Sequence, residues 1–179
     1  MACLEGSVSI HSEYSKKIYF SSFASHLASA KDHSRNLFYE VEATVIPYNV
    51  LKLSLSLNYF ENTDNLEYVD TKFLNGQNKY LIAHIAQKTL GATFRIDYNI
   101  TPEISLQYYG SSFASVGKYS AFKEITKPHV ANYADRFSLL STTLAGKEYQ
   151  VAANCETPSY SIQNPDFTFT QFRSNLVFR

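Results

Sequence analysis

Two stretches of the chain alternate apolar and polar side chains with a period of two. In the first, Leu37, Tyr39, Val41, Ala43 and Val45 are separated by Phe38, Glu40, Glu42 and Thr44; after a break, Leu51, Leu53, Leu55, Leu57 and Tyr59 are separated by Lys52, Ser54, Ser56 and Asn58. In the second, Leu90, Ala92, Phe94, Ile96, Tyr98 and Ile100 alternate with Thr93, Arg95, Asp97 and Asn99, and Ile104, Leu106 and Tyr108 follow Thr101-Pro102. Successive side chains of a strand point to opposite faces, so each stretch predicts a β-hairpin with one apolar and one polar face. Register follows from keeping like opposite like. A three-residue connection, Pro47-Tyr48-Asn49, sets Val45 against Leu51, Ala43 against Leu53, Val41 against Leu55 and Leu37 against Tyr59; a two-residue loop would set Ala43 against Lys52. A turn centred on Pro102 sets Ile100 against Ile104, Tyr98 against Leu106, Ile96 against Tyr108, Asp97 against Gln107 and Arg95 against Tyr109.

Further strands are predicted at 7–12 and 18–29, and at 164–179, where Phe172, Leu176 and Phe178 share a face. Asn75-Gly76, a favoured tight-turn pair, lies between "LEYVDTKF" and "KYLIAHIA", which extend the neighbouring strands into one long hairpin. The expected fold is all-β: an antiparallel up-and-down meander of about seven strands forming part of a transmembrane β-barrel. It makes one partial barrel domain over 1–179, with a long loop at about 111–165 between the last two strands. Short connections alternate with long ones, as in outer-membrane barrels. Residues 50–60 supply the 9–11 positions a tilted membrane strand needs, with Tyr48 at one end and Tyr59 and Phe60 at the other.

On this reading Leu51, Leu53, Leu55, Leu57, Phe94, Ile96 and Leu106 face lipid, and Glu40, Glu42, Lys52, Arg95 and Asp97 face the lumen, where both signs on adjacent strands can neutralise one another. Alternation alone fits an inverted arrangement equally well. A soluble lipocalin-like barrel would gather Leu53, Leu55, Phe94 and Ile96 around an apolar small molecule.

Composition sharpens this. Charged residues make up 18% of the chain, less than the quarter usual in soluble domains. Sixteen Lys plus Arg balance sixteen Asp plus Glu, so no basic excess attracts nucleic acid. No apolar run is long enough for a membrane helix, and "MACLEGSVSI" has no signal-peptide pattern. Cys3 and Cys155 have no metal-site spacing and form no disulfide framework. His11, His26, His33, His84 and His129 are scattered, so no metal site and no cofactor is expected. No nucleophile elbow or phosphate-binding loop occurs, and no enzyme activity is expected. An envelope enzyme would have to build its site in the 111–165 loop from Tyr119, Lys123, Glu124, His129, Asp135 and Arg136, which have no recognisable order.

The segments "TFRIDYNITPEISLQYYGSSFASVGKYSAFKEI" (93–125) and "NPDFTFTQFRSNLVFR" (164–179) resemble the C-terminal region of the DUF5916 family, and the preceding hairpins fit in order from about residue 6. Members are large bacterial proteins, common in Bacteroidota, with an N-terminal carbohydrate-binding-like module of the family 9 type before an outer-membrane β-barrel. The resemblance implies an outer-membrane location, lipid as partner, and a role in envelope transport or glycan handling. Nothing here resembles the N-terminal module, so no residue inherits carbohydrate binding. The family pattern continues past "NLVFR", and the chain is therefore expected to be a fragment truncated at both ends.

Overall fold

A computed structural model of the chain describes residues 3–153 and 156–179; Cys155 lies outside them. The described residues form eleven strands: β1 (Cys3–His11), β2 (Ile18–Ser29), β3 (Arg35–Tyr48), β4 (Leu51–Leu74), β5 (Gln77–Thr101), β6 (Ile104–Ile125), β7 (Phe137–Leu139), β8 (Ser141–Ala145), β9 (Glu148–Ala153), β10 (Glu156–Gln163) and β11 (Phe167–Phe178). The main sheet is an antiparallel meander in the order β1-β2-β3-β4-β5-β6-β11, with β7 as an eighth strand on β6. It is open: β1 and β11 end the path and do not pair with each other. A second sheet has the order β10-β9-β8.

The second hairpin has the expected register. Tyr98 pairs with Leu106, Ile96 with Tyr108, Asp97 with Gln107 and Arg95 with Tyr109. Only at the tip does Thr101, not Ile100, pair with Ile104, because a bulge sits between Asn99 and Thr101. The first hairpin differs by two residues: Val45 pairs with Leu53, Ala43 with Leu55, Val41 with Leu57 and Leu37 with Glu61. Its turn is the two-residue Asn49-Val50, since Tyr48 pairs with Leu51. A bulge between Val45 and Tyr48 takes up the odd residue and restores parity, so apolar still meets apolar. Pro47 sits in that bulge, where its missing N–H costs no ladder bond. At Asn75-Gly76 both residues have positive φ, 52° and 77°, the conformation of the hairpin turn whose twist matches its strands.

The connection expected over 111–165 begins later and is built. β6 runs on to Ile125, and residues 137–163 contain β7, β8, β9 and β10. The alternation that marks β6 is interrupted at Ala121, which has a φ of 49°. There β6 bulges against β5, between the pairs His84–Ser120 and Ile82–Lys123, and Phe122 is turned inward.

The extended parts of β5 and β6 carry a conventional core. Leu81, Ala83 and Phe122 pack with Val151 of β9 and Ile162 of β10, all buried, and the Tyr149 ring lies 4.7 Å from that of Phe122. β5 keeps regular pairing on both sides from Gln87 to Asn99, and every bulge above that point falls in β4 or β6. Leu81 and Ala83 therefore share a face with Thr93, Arg95 and Asp97. The small sheet thus covers one end of the polar face of the meander.

Gly117 of β6 lies opposite Phe167 of β11, and a Cβ there would overlap the Phe167 ring. Gly117→Val is expected to destabilise the β6–β11 pairing by about 1–3 kcal/mol. Urea unfolding checks this, and adding Phe167→Ala should return much of the loss.

Candidate functional site

Pairing across the strands sorts the side chains of the meander into two faces. One carries the rows Tyr48–Leu51–Tyr98–Leu106–Phe178, Val45–Leu53–Ile96–Tyr108–Leu176, Ala43–Leu55–Phe94–Gly110–Ser174, Val41–Leu57–Ala92–Ser112–Phe172 and Tyr39–Tyr59–Leu90–Ala114–Thr170. None contains a charge. The next row brings Glu61 beside Lys88. From Leu51 to Tyr59 the uncharged band runs about 26 Å along the strand at about 3.3 Å per residue. Several of these side chains are exposed, Leu55 by 45%, Leu57 by 51% and Phe172 by 64%, and Leu51, Leu53, Ile96 and Leu106 are half-buried.

The opposite face carries Glu42–Ser56–Thr93–Ser111–Arg173, Thr44–Ser54–Arg95–Tyr109–Asn175 and Lys52–Asp97–Gln107. Here burial is mixed: Glu42, Ser56, Thr93 and Asp97 are half-buried, and Lys52, Arg95, Gln107, Tyr109 and Arg173 are exposed. Thr44 is 1% and Ser54 8% exposed, and their hydroxyls are 2.9 Å apart. A recess of about 190 Å³ on this face is lined by Glu40, Glu42, Ser54, Ser56, Asn58, Thr93, Arg95 and Tyr109, and a hollow of about 390 Å³ on the apolar face by Leu90, Ala92, Ser112, Ala114 and Phe172 among others. Large apolar side chains thus lie exposed on one face while two hydroxyls are buried on the other, unlike the apolar-in arrangement of a soluble domain.

The residues singled out from the sequence thus fall into two groups. Glu40, Glu42, Lys52, Arg95 and Asp97 share the polar face, and three of them line the recess. Leu51, Leu53, Leu55, Leu57, Phe94, Ile96 and Leu106 share the opposite one. Lys52 and Asp97 are cross-strand partners, and none of the five charges makes a direct ion pair among the described residues. Arg95 instead stacks over the Tyr109 ring at 5.3 Å, Lys52 lies 6.0 Å from the Tyr19 ring centre, and Glu42 accepts a 3.5 Å hydrogen bond from Thr44.

Beyond the uncharged band is a second hollow, a cleft of about 650 Å³. The β2–β3 loop supplies Lys31, Asp32 and His33, β4 supplies Asn65 and Leu66, the segment before β7 supplies Tyr133, and β7 itself supplies Phe137. A hydrogen-bond cluster ties the loop to the β4 bulge. Ser34 donates to Asp32 Oδ2 at 2.8 Å, and the Asn65 amide donates to the Asp32 carbonyl at 2.7 Å. The Asn65 backbone N–H reaches Ser34 Oγ at 3.1 Å, and His84 Nδ1 lies 2.7 Å from Asn65 Oδ1. The sequence signal for this cluster is the Asx-rich run Asn62-Thr63-Asp64-Asn65, which competes with regular pairing through side-chain bonds.

Burial works to raise the Asp32 carboxyl, but hydrogen bonds from Ser29 and Ser34 outweigh it and hold the group below the usual carboxylate value. A carboxylate depressed in the folded state stabilises above its unfolded pKa of about 4 and loses that contribution as pH falls through the folded value. The tie between the loop and the bulge should therefore loosen below about pH 4. Lower protection of the Asn65 and Leu66 amides relative to their intrinsic exchange rate at each pH, with protection in β5 unchanged, is the expected result.

The polar residues of an enzyme-like loop site are dispersed. Lys123 lines the cleft, and Arg136 an adjoining hollow. Tyr119 packs on the core of the small sheet, Glu124 is held by Lys79 at 3.0 Å, Asp135 accepts from Asn132 at 3.0 Å, and His129 is exposed. Among the described residues no group of three His, Cys, Asp or Glu is placed to hold a metal ion, and Cys3 is an exposed free thiol.

No curated protein and no solved structure matches this chain. A family model does: the one described as "Domain of unknown function (DUF5916)" aligns with residues 2–175. With nearly its whole length matched by that model, the chain belongs to the DUF5916 family.

Proposed function

We propose that this chain forms part of the wall of an outer-membrane β-barrel, with its uncharged band against lipid and its polar face lining a wet lumen through which hydrophilic solutes cross the envelope. The observation that carries this reading is the inversion of the meander. Five uncharged rows cross β3–β6 and β11 with Val41, Leu55, Leu57, Leu90, Phe94 and Phe172 exposed, while Thr44 and Ser54 are sheltered. Soluble monomers rarely expose contiguous apolar patches beyond a few hundred Å². The same chain builds an ordinary apolar core at Leu81, Phe122, Val151 and Ile162, just past the band, so the inversion is confined to the band. Lipid does not tolerate open sheet edges, so in the membrane β1 and β11 take strand partners that complete the barrel. The carbohydrate-binding-like module of the family makes glycan-derived solutes one class to test.

The natural polypeptide containing this chain is expressed in its own host and fractionated. Recovery in the outer membrane, with faster gel mobility before heating than after, is the expected outcome. A product that stays soluble and folded without detergent would overturn the reading.

A further inference from the structure

We propose that the recess over Glu40, Glu42 and Arg95 is a binding site for short zwitterionic peptides, the ammonium terminus on the two glutamates and the carboxylate terminus on the guanidinium. This rests on the barrel reading for which side of the sheet is wet. The two glutamates stand on β3 and the arginine on β5, and β4 between them presents only Ser54, Ser56 and Asn58 to the recess. The two charged strands are thus about 10 Å apart, twice the spacing of neighbouring strands.

Neither sign is neutralised by a direct ion pair. Glu40, Glu42 and Arg95 form no ion pair among the described residues. Arg95 is held toward β6 by its stack on Tyr109, away from the glutamates, so acid and base face each other across the hollow without collapsing together. A simple anion would satisfy the guanidinium and leave the carboxylates unmatched, and a simple cation would do the reverse. One molecule carrying both charges satisfies both sides. An extended chain covers at most about 3.3–3.6 Å per residue, so the termini of a tripeptide span about 10 Å. The Ser56 and Thr93 hydroxyls below offer hydrogen bonds to its peptide groups.

The test uses the full chain refolded into detergent micelles, or in plain buffer if it folds there, with folding read from gel mobility before and after heating. Triglycine is titrated by calorimetry, beside acetyl-triglycine, which lacks the ammonium, and triglycine amide, which lacks the carboxylate. Saturable binding of triglycine, weakened at least tenfold by either cap, is expected. Arg95→Gln should abolish the advantage of triglycine over the amide, and Glu40→Gln with Glu42→Gln the advantage over the acetylated peptide. Absence of triglycine binding to folded protein, equal binding of all three peptides, or indifference to both variants would overturn the proposal. None of these outcomes would overturn the barrel reading, which is tested separately by whether folding depends on detergent.

Discussion

Leu55→Arg should raise the free energy of the lipid-inserted state by about 2–4 kcal/mol, the cost of a charge near the midplane on a lipid-facing barrel position. Leu55 is the middle residue of the β4 band, between Ala43 and Phe94, with two uncharged rows on either side. An arginine there cannot reach water without pulling the strand out of line. Urea titration of protein refolded into vesicles measures the cost directly. Lys52→Leu, on the opposite face of the same strand, should change it by no more than a few tenths of a kcal/mol, as expected for exposed sites. Were Lys52→Leu to block insertion while Leu55→Arg did not, the two faces would have to be exchanged.

Phe122→Ala should act elsewhere and be at least as costly locally, about 3–5 kcal/mol for a fully buried phenylalanine. Phe122 is 1% exposed and joins Leu81 and Ala83 to Val151 and Ile162. Its loss should free the small sheet from the extensions of β5 and β6 and leave the band intact. The expected result is rapid proteolysis within 137–163 with unchanged heat-dependent gel mobility. Global unfolding instead would mean that the small sheet and the meander are one cooperative unit.

The contrast between these two sites explains how much was legible in the sequence. The band could be read because β3, β4 and β5 alternate there between uncharged and mostly polar positions, and period two then fixes strands, faces and parity together. The register of the first hairpin was misjudged by two residues because a bulge can add the residue that a turn removes. Parity constrains their sum, not the turn alone. The strands between 137 and 163 were not legible because alternation is weak there: β8 reads Ser-Thr-Thr-Leu-Ala, and its neighbour β9 buries Val151 through a core set by distant Leu81 and Phe122. The shift of Phe122 to the inner face depends on the positive φ at Ala121, which alanine does not advertise. Among the site residues, the five charges were recognisable as one face. That Arg95 stacks on Tyr109 rather than pairing with a carboxylate is a matter of side-chain geometry that spacing does not carry.

The most direct measurement concerns which face of β4 touches lipid, and the absence of tryptophan from the chain makes it clean. Leu55→Trp and Ser56→Trp each introduce a single indole on opposite faces of one strand, one residue apart. Both variants are refolded into vesicles containing lipid brominated on its acyl chains. Lipid contact of the uncharged band predicts blue-shifted emission strongly quenched by bromine for Leu55→Trp, and red-shifted emission with little quenching for Ser56→Trp. The reverse pattern, or no quenching of either indole, would contradict it.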